Sequence, residues 1–138
     1  MKLTIISPEK TILEKDVLEV TVPTTLGIIT ILPNHTHFLS TLSLGNITFK
    51  TDNSLESSNE DPFITIESGF LTTDGKEVKI LTEVAIYNKD LAEQQVQTMK
   101  ENAIKLMEKS SDDKGIEKLK SQTRIADLHL ISRKRRKI

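Results

Sequence analysis

Two histidines in the first half of the chain, His35 and His37, are the side chains best suited to bind a metal. One residue separates them, so on a strand both imidazoles would point to the same side. Imidazole is a common ligand of zinc and other transition metals, but a site needs further ligands that converge on the same point. The sequence suggests none. A small metal-dependent enzyme of the cupin kind therefore remains an alternative, and it would require more ligands. The other interpretation is that the histidine only shapes a turn.

Groups for other kinds of chemistry are missing. The chain has no cysteine, which excludes disulfides, thiolate zinc sites and a thiol nucleophile. It also has no Gly-x-Ser-x-Gly turn, no phosphate-binding loop and no dinucleotide fingerprint. Serine and aspartate are frequent, but they fall in predicted loops and turns, where they bond to the local backbone. The residues therefore show no catalytic constellation, and they predict no cofactor and no metal site.

The end of the chain carries a run of positive charge. Residues 1–85 contain six lysines and twelve acids, a net charge of −6, whereas residues 86–138 contain thirteen basic and eight acidic residues, a net charge of +5. This division indicates two parts with different uses. The run is either a solvated helix end or an attractant for phosphate in nucleic acid or membranes. It comprises Arg133, Lys134, Arg135, Arg136 and Lys137.

The basic run makes an adaptor or nucleic-acid-binding module with a basic helical arm the second alternative. Two features weigh against it, because the first part of the chain is acidic and only five aromatic residues are available to stack on bases. No nucleic-acid partner is therefore expected.

The first part of the chain has the pattern of a β-protein. Short runs that alternate or are wholly apolar are separated by turn signals such as Gly45-Asn46 and Asp74-Gly75. Residues 51–61 are polar and acidic and predict a loop, and residues 28–32 predict a buried strand because both faces are apolar except at Thr30. We expect an antiparallel β-sandwich over residues 1–86. The predicted strands are 3–7, 11–14, 17–23, 28–32, 38–44, 47–50, 63–67, 70–73 and 78–82.

After Tyr87 the apolar period changes to that of a helix. Asn88 or Asp90 could cap its start, and the Ser-Ser-Asp-Asp segment at 110–113 interrupts it. Residues 87–138 are therefore predicted to form an antiparallel two-helix hairpin. Its apolar seam is narrow, so its docking should be reversible. The seam comprises Ala92, Val96, Met99, Ala103, Leu106, Ile116, Leu119, Thr123, Ala126 and Leu130, and the basic run is expected to lie beyond this packing face.

These elements carry a resemblance to a known family. The segments are Ile-Ile-Ser-Pro-Glu at 5–9, Val-Thr-Val-Pro at 20–23, Gly-Ile-Ile-Thr-Ile-Leu-Pro-Asn-His at 27–35 and Ser-Gly-Phe at 68–70. In this order, and followed by a helical hairpin, they resemble the epsilon subunits of rotary F-type ATP synthases from residue 3 to about 130. The chain departs from the family at Ile28, where an acid is usual, and at Thr30 and Ser68, where glycines are usual. The 51–61 loop looks like an insertion.

The resemblance implies a function and partners. The subunit would be a non-catalytic part of the central stalk that couples the ring of c subunits to the catalytic head through the gamma subunit. Its hairpin would be a latch that reaches the alpha and beta subunits and regulates ATP hydrolysis, with the basic run on an acidic segment of beta. The loop that faces the ring would contain Gly27, Ile28, Ile29, Pro33, Asn34 and His35.

The resemblance also implies a location and the absence of one ligand. No apolar run approaches the ~20 residues that cross a bilayer, and the first residues predict a strand rather than a signal peptide. The subunit is expected at the cytoplasmic face of the inner membrane as a peripheral protein, without direct membrane insertion. Some relatives bind ATP through an aliphatic residue, Asp, two variable residues, Arg and Ala. Around Arg124 this chain has Ser121 and Ile125 in place of the Asp and Ala, so ATP binding is not expected.

Overall fold

The chain folds into ten strands followed by two helices. A computed structural model describes residues 1–52, 62–88, 93–109 and 113–136. The strands are β1 Lys2–Ile6, β2 Thr11–Asp16, β3 Glu19–Thr24, β4 Gly27–Ile31, β5 Phe38–Leu42, β6 Gly45–Lys50, β7 Phe63–Ile66, β8 Gly69–Thr73, β9 Glu77–Leu81 and β10 Ala85–Tyr87. The helices are α1 Glu93–Lys109 and α2 Asp113–Arg136. The predicted 51–61 loop falls mostly outside the described residues.

The strands form one continuous path that folds over on itself. Their order is β10-β7-β6-β3-β5-β8-β9-β1-β2, with β4 paired to β3 beside this path. A single register pair, Thr24 with Leu42, joins the two halves. Apolar side chains of both halves share one core, among them Ile5 and Ile80 from one half and Val20 and Ile47 from the other. The structure thus confirms the predicted fold of a β-sandwich followed by a helical hairpin.

Alternation of side chains decides which residues reach this core. In β9, Val78 and Ile80 are fully buried while Lys79 between them is exposed, as the period of two requires. All four residues of β7 are buried. Ile64 and Ile66 belong to the sandwich core, whereas Phe63 and Thr65 contact α2 on the opposite face.

Three features of the sheet differ from the sequence predictions. The strand predicted as buried, β4, lies at an edge and pairs only with β3, so Ile28 is 77% exposed. The pair β1–β9 is parallel, and the other described pairs are antiparallel. Strand β10 was not predicted, because three residues are too few for a periodic pattern.

The two helices pack against each other, and α2 also contacts β7 and β10. A small apolar cluster fills the space between the hairpin and the sandwich. It comprises Ile86, Val96, Ile125, Ala126 and Leu130, with Val84 at its border. Of the two cap candidates, Asn88 instead accepts a hydrogen bond from Phe63 N through Oδ1 at 3.0 Å, and Asp90 lies outside the described residues. Among the helices of the described residues, none has the length and apolar character that a membrane span needs.

Candidate functional site

The residues predicted to face a partner ring fall into two groups at opposite ends of β4. Gly27 and Ile28 begin this strand at the tip of the β3–β4 hairpin, with Ile29 next to them. Gly27 has a φ of 130°, and its carbonyl accepts a hydrogen bond from Thr24 Oγ1 at 2.5 Å. At the tip, Leu26 and Ile28 are both exposed. This end of β4 is therefore an ordered turn with an apolar surface.

The second group, Pro33 to His35, is held against the β8–β9 turn. Asn34 has a φ of 67°, and its backbone N–H donates to the Gly75 carbonyl at 2.8 Å. The His35 ring bonds through Nδ1 with Thr36 O at 2.7 Å and contacts Phe38 edge-on. His37 is exposed. Within the described ranges no group of three or more metal-binding side chains occurs, so the structure brings no further ligand to the two histidines there.

Gly75 should be required for the position of the 33–35 loop. It has a φ of 90°, and a Cβ at this residue would lie 2.6 Å from His35 O. We expect Gly75→Ala to lower the free energy of unfolding by about 2–4 kcal/mol, because backbone strain adds to a clash with backbone. Gly27→Ala is the matched control, with positive φ but open space, and should cost about 1–2 kcal/mol. Thermal unfolding checks both, and equal losses would contradict the role of the clash.

The outer face of the half of the sandwich that contains β5, β8, β9 and β1 carries exposed apolar side chains. Register pairs place Thr41 beside Phe70, Phe70 beside Leu81, and Leu81 beside Ile6. Leu39 lies two residues from Thr41 on the same face of β5. Leu39, Phe70 and Leu81 are exposed, and Ile6 is half-buried. We call Leu39, Phe70, Leu81 and Ile6 the outer apolar surface.

The hairpin contacts the half of the sandwich that contains β6 and β7 through a buried polar network. Thr65 Oγ1 donates to Asn46 Oδ1 at 2.8 Å, and lies 3.0 Å from His129 Nδ1. Asn46 Nδ2 donates to Ser132 Oγ at 2.6 Å, and Ser132 donates in turn to the Leu128 carbonyl at 2.8 Å. The His129 ring also packs against Phe63, with centroids 5.0 Å apart. We call Asn46, Thr65, His129 and Ser132 the docking network.

Two arginines of α2 add to this contact. Arg124 forms an ion pair of 2.9 Å with Glu67 and also donates to Ser121 Oγ at 3.1 Å. Arg133 is only 5% exposed and donates to the Asn88 carbonyl. The prediction that the whole basic run lies beyond the packing face is therefore wrong for Arg133, because α2 stays docked past Ser132. The side chains of Lys134, Arg135, Arg136 and Lys137 lie outside the described part of the chain.

The predicted seam of the hairpin is only partly buried. Val96, Ala103, Ala126 and Leu130 are buried, and Ile116, Leu119 and Thr123 are half-buried. Met99 and Leu106 are 46% and 55% exposed, since they line a groove of about 290 Å³ between the two helices and β10. Ala92 falls outside the described residues. The predicted seam did not include Ile125 and His129, which are buried because the end of α2 packs on the sandwich as well as on α1.

His129 is the titratable group that this arrangement changes most clearly. Burial, and secondarily the nearby Arg133 guanidinium, lower the pKa of His129 to about 4. Because Thr65 donates its hydroxyl proton to Asn46, Thr65 Oγ1 must accept from His129 Nδ1–H. The lone pair is then on Nε2, which is buried and has no hydrogen-bond partner among the described residues. The docked hairpin thus favours the neutral imidazole.

The fold and these contacts define a class of protein with a β-sandwich and a helical hairpin docked on one side. The family model described as ATP synthase, Delta/Epsilon chain, beta-sandwich domain matches residues 1–88. The ATP synthase epsilon chain of Leptospira borgpetersenii is 29% identical over 126 residues, which cover 91% of this chain and 92% of the relative. That of Wolinella succinogenes is 30% identical over 113 residues, 82% of each chain. The chain belongs to the epsilon-chain family of ATP synthases.

Two solved structures share the fold at low identity. A chain of the Euglena gracilis mitochondrial ATP synthase, from an assembly of OSCP, F1 and c-ring, aligns with a TM-score of 0.64 at 18% identity. The alignment covers 94% of this chain and 79% of that one. A chain from the central stalk and c-ring of the Tetrahymena thermophila enzyme aligns with a TM-score of 0.55 at 16% identity, over 96% and 94%. Both similarities support the fold alone.

Proposed function

We propose that this chain is a non-catalytic subunit of the central stalk, which couples the c ring to the catalytic head through the gamma subunit. It would lie at the cytoplasmic face of the inner membrane as a peripheral component. The observation that carries the proposal is the outer apolar surface of the sandwich, in a chain that belongs to the epsilon family. Packed sheets deform little, so they suit the transfer of torque.

The outer apolar surface is the candidate contact with gamma. Adjacent exposed apolar side chains on a soluble domain usually mark a site that another protein covers. Leu39, Phe70 and Leu81 lie on three neighbouring strands of this face. An uncharged apolar patch fits an apolar protein surface and not a phosphate backbone, which disfavours a nucleic-acid-binding role for the sandwich.

The two ends of β4 are the candidate contacts with the c ring. Ile28 replaces an acid that is usual in the family and is 77% exposed, so the contact at the hairpin tip would be apolar. The 33–35 loop is held by Gly75 at the other end of the strand. A strand rises about 3.3 Å per residue, so the two ends of β4 lie well apart. They would contact the c ring at two separate points.

The hairpin is the candidate regulatory element. The apolar cluster that holds it is small, and polar contacts supply much of the rest of the interface. An interface of this kind can leave docked and extended positions within a few kcal/mol of each other. In the extended position the helices would contact the alpha and beta subunits and oppose ATP hydrolysis, with the end of the basic run on acidic surface of beta.

Co-purification tests the proposed function. A tagged copy of the full chain, expressed in its own cells and isolated after nuclease treatment, should bring down gamma together with alpha and beta. Ribonucleoprotein in place of these subunits would support the adaptor alternative and overturn the proposal. Metal analysis of the same sample addresses the cupin-like alternative, because a stoichiometric metal would require ligands beyond His35 and His37.

A further inference from the structure

The docking network closes only when α2 lies in one position on the sandwich. Two of its members, Asn46 and Thr65, are on β6 and β7, and the other two, His129 and Ser132, are on α2. Three hydrogen bonds join these four side chains, and each is 3.0 Å or shorter. Thr65 and His129 are fully buried. A shift or rotation of α2 along the sandwich would leave several of these polar groups without partners. Such a position is unfavourable, because buried polar groups without partners are costly.

The apolar part of the interface does not impose the same precision. Ile125, Ala126 and Leu130 contact a small cluster around Ile86, and apolar contact has no preferred direction. Hydrogen bonds depend steeply on distance and angle. The network therefore selects the docked position, while the apolar cluster supplies general adhesion.

We infer that the Thr65–His129 hydrogen bond, supported by Asn46 and Ser132, is the catch that holds the hairpin docked, and that uptake of a proton by His129 releases it. The inference rests on the proposed function for the meaning of release, but not for the contact itself. Protonation would place an N–H on buried Nε2, where the described residues offer no acceptor. It would also place a second positive charge beside Arg133.

The charges around His129 do not offset this effect. On the strands that face the His129 imidazole, its contacts are Phe63 and Thr65, neither of which titrates in the relevant range. The acids on adjoining segments are engaged elsewhere, Glu67 by Arg124 and Asp127 by Lys100 of α1. Arg133, on α2 itself, is the charged group that acts on the ring. A proton on His129 therefore meets repulsion and no compensating acid among these groups.

The direction of the pH effect follows from the two states. The pKa of His129 is about 4 when docked, and about 6.5 is expected when the side chain is in water. Between these values the released hairpin binds the proton more tightly than the docked hairpin. The ratio of docked to released molecules should therefore be at its full value above pH ~6.5 and fall by up to about tenfold per pH unit towards pH ~4.

Fluorescence energy transfer in the full chain tests the catch. The chain lacks cysteine, so dyes can be attached at Lys15→Cys in β2 and Lys118→Cys in α2, two exposed positions. Thr65→Val should lower the docked-to-released ratio about tenfold to a hundredfold, because His129 Nδ1–H loses its acceptor. Thr72→Val, the same change at an exposed position of β8, should have no effect. The double variant Thr65→Val, His129→Leu should recover docking to within about threefold, since neither of these two buried positions then holds an unpaired polar group. Asn46 Oδ1 loses its donor, but Asn46 is only half-buried and can bond to water.

The pH profile gives a second readout. The wild-type ratio should fall as the pH is lowered from 6.5 to 4.5, and the His129→Leu variant should lose this slope. A ratio that is unchanged by Thr65→Val, or a slope that persists in His129→Leu, would overturn the catch. Hydrogen exchange of β1 and β9 in each variant shows whether the sandwich is still folded. If docking responds as predicted but ATP hydrolysis by the assembled enzyme does not, the catch stands and the proposed regulatory function fails.

Discussion

Ile125→Asp is expected to detach the hairpin while the sandwich stays folded. Ile125 is 1% exposed and packs in the cluster with Ile86 and Val96. An unpaired carboxylate at this position would lose apolar contact and also lose its hydration, at a cost of about 4 kcal/mol or more. That cost corresponds to a shift of roughly a thousandfold in the docking equilibrium. The energy-transfer pair described above measures the shift directly.

Ile131→Asp is the matched control for this substitution. Ile131 lies in the same helix, six residues on, but its side chain is 48% exposed. Its replacement should change docking by less than about threefold, as is usual for surface positions. The packing account is contradicted if both variants release the hairpin equally, or if Ile125→Asp unfolds the sandwich and hairpin together. The latter result would show that the two parts do not act as separate domains.

A second large effect is expected at the outer apolar surface. Phe70→Asp places a charge at the centre of this surface, between Thr41 and Leu81 in the register. We expect the affinity for purified gamma to fall more than a hundredfold, because a central aromatic residue is lost and a carboxylate would be buried without a partner. Stability should change little, since Phe70 is exposed in the free chain.

The control for Phe70→Asp uses an exposed leucine elsewhere. Leu18 precedes β3, and its backbone bonds to Lys50 at the end of β6, away from β8 and β9. Leu18→Asp should leave the affinity for gamma within about threefold of the wild type. If both variants bind gamma normally, the outer apolar surface is not the contact, and the tip with Leu26 and Ile28 becomes the next candidate.

The sequence predicted the strands well where one face of each strand is buried. Alternation in β9, with Val78 and Ile80 inside and Lys79 outside, is a local property that survives folding. The exposure of β4 could not be predicted in the same way. An apolar strand at an edge and an apolar strand in the centre have the same pattern, and only the pairing with other strands distinguishes them. The parallel pairing of β1 with β9 is likewise a property of the whole topology.

The candidate site on α2 was harder to predict, because its buried face is partly polar. His129 and Arg133 are four residues apart and fall on one side of the helix. A search for periodic apolar residues does not detect them, because both are polar. Thr65, on β7, is equally buried and reads in the sequence as an ordinary strand threonine. The partners that satisfy these groups come from segments more than 40 residues away, as in the hydrogen bond of Arg133 to Asn88. Tertiary contact, and not local pattern, creates the docking network.

Titration of purified gamma with the intact chain tests the central claim most directly. If the chain is a central-stalk subunit, it should bind gamma with 1:1 stoichiometry and a Kd below ~1 μM, a free energy of about −8 kcal/mol or better. Binding should persist in high salt, because the outer apolar surface carries no charge that salt would screen. Absence of binding at 10 μM of a folded gamma subunit from the same cells, on the order of a tenfold excess over that Kd, would contradict the account.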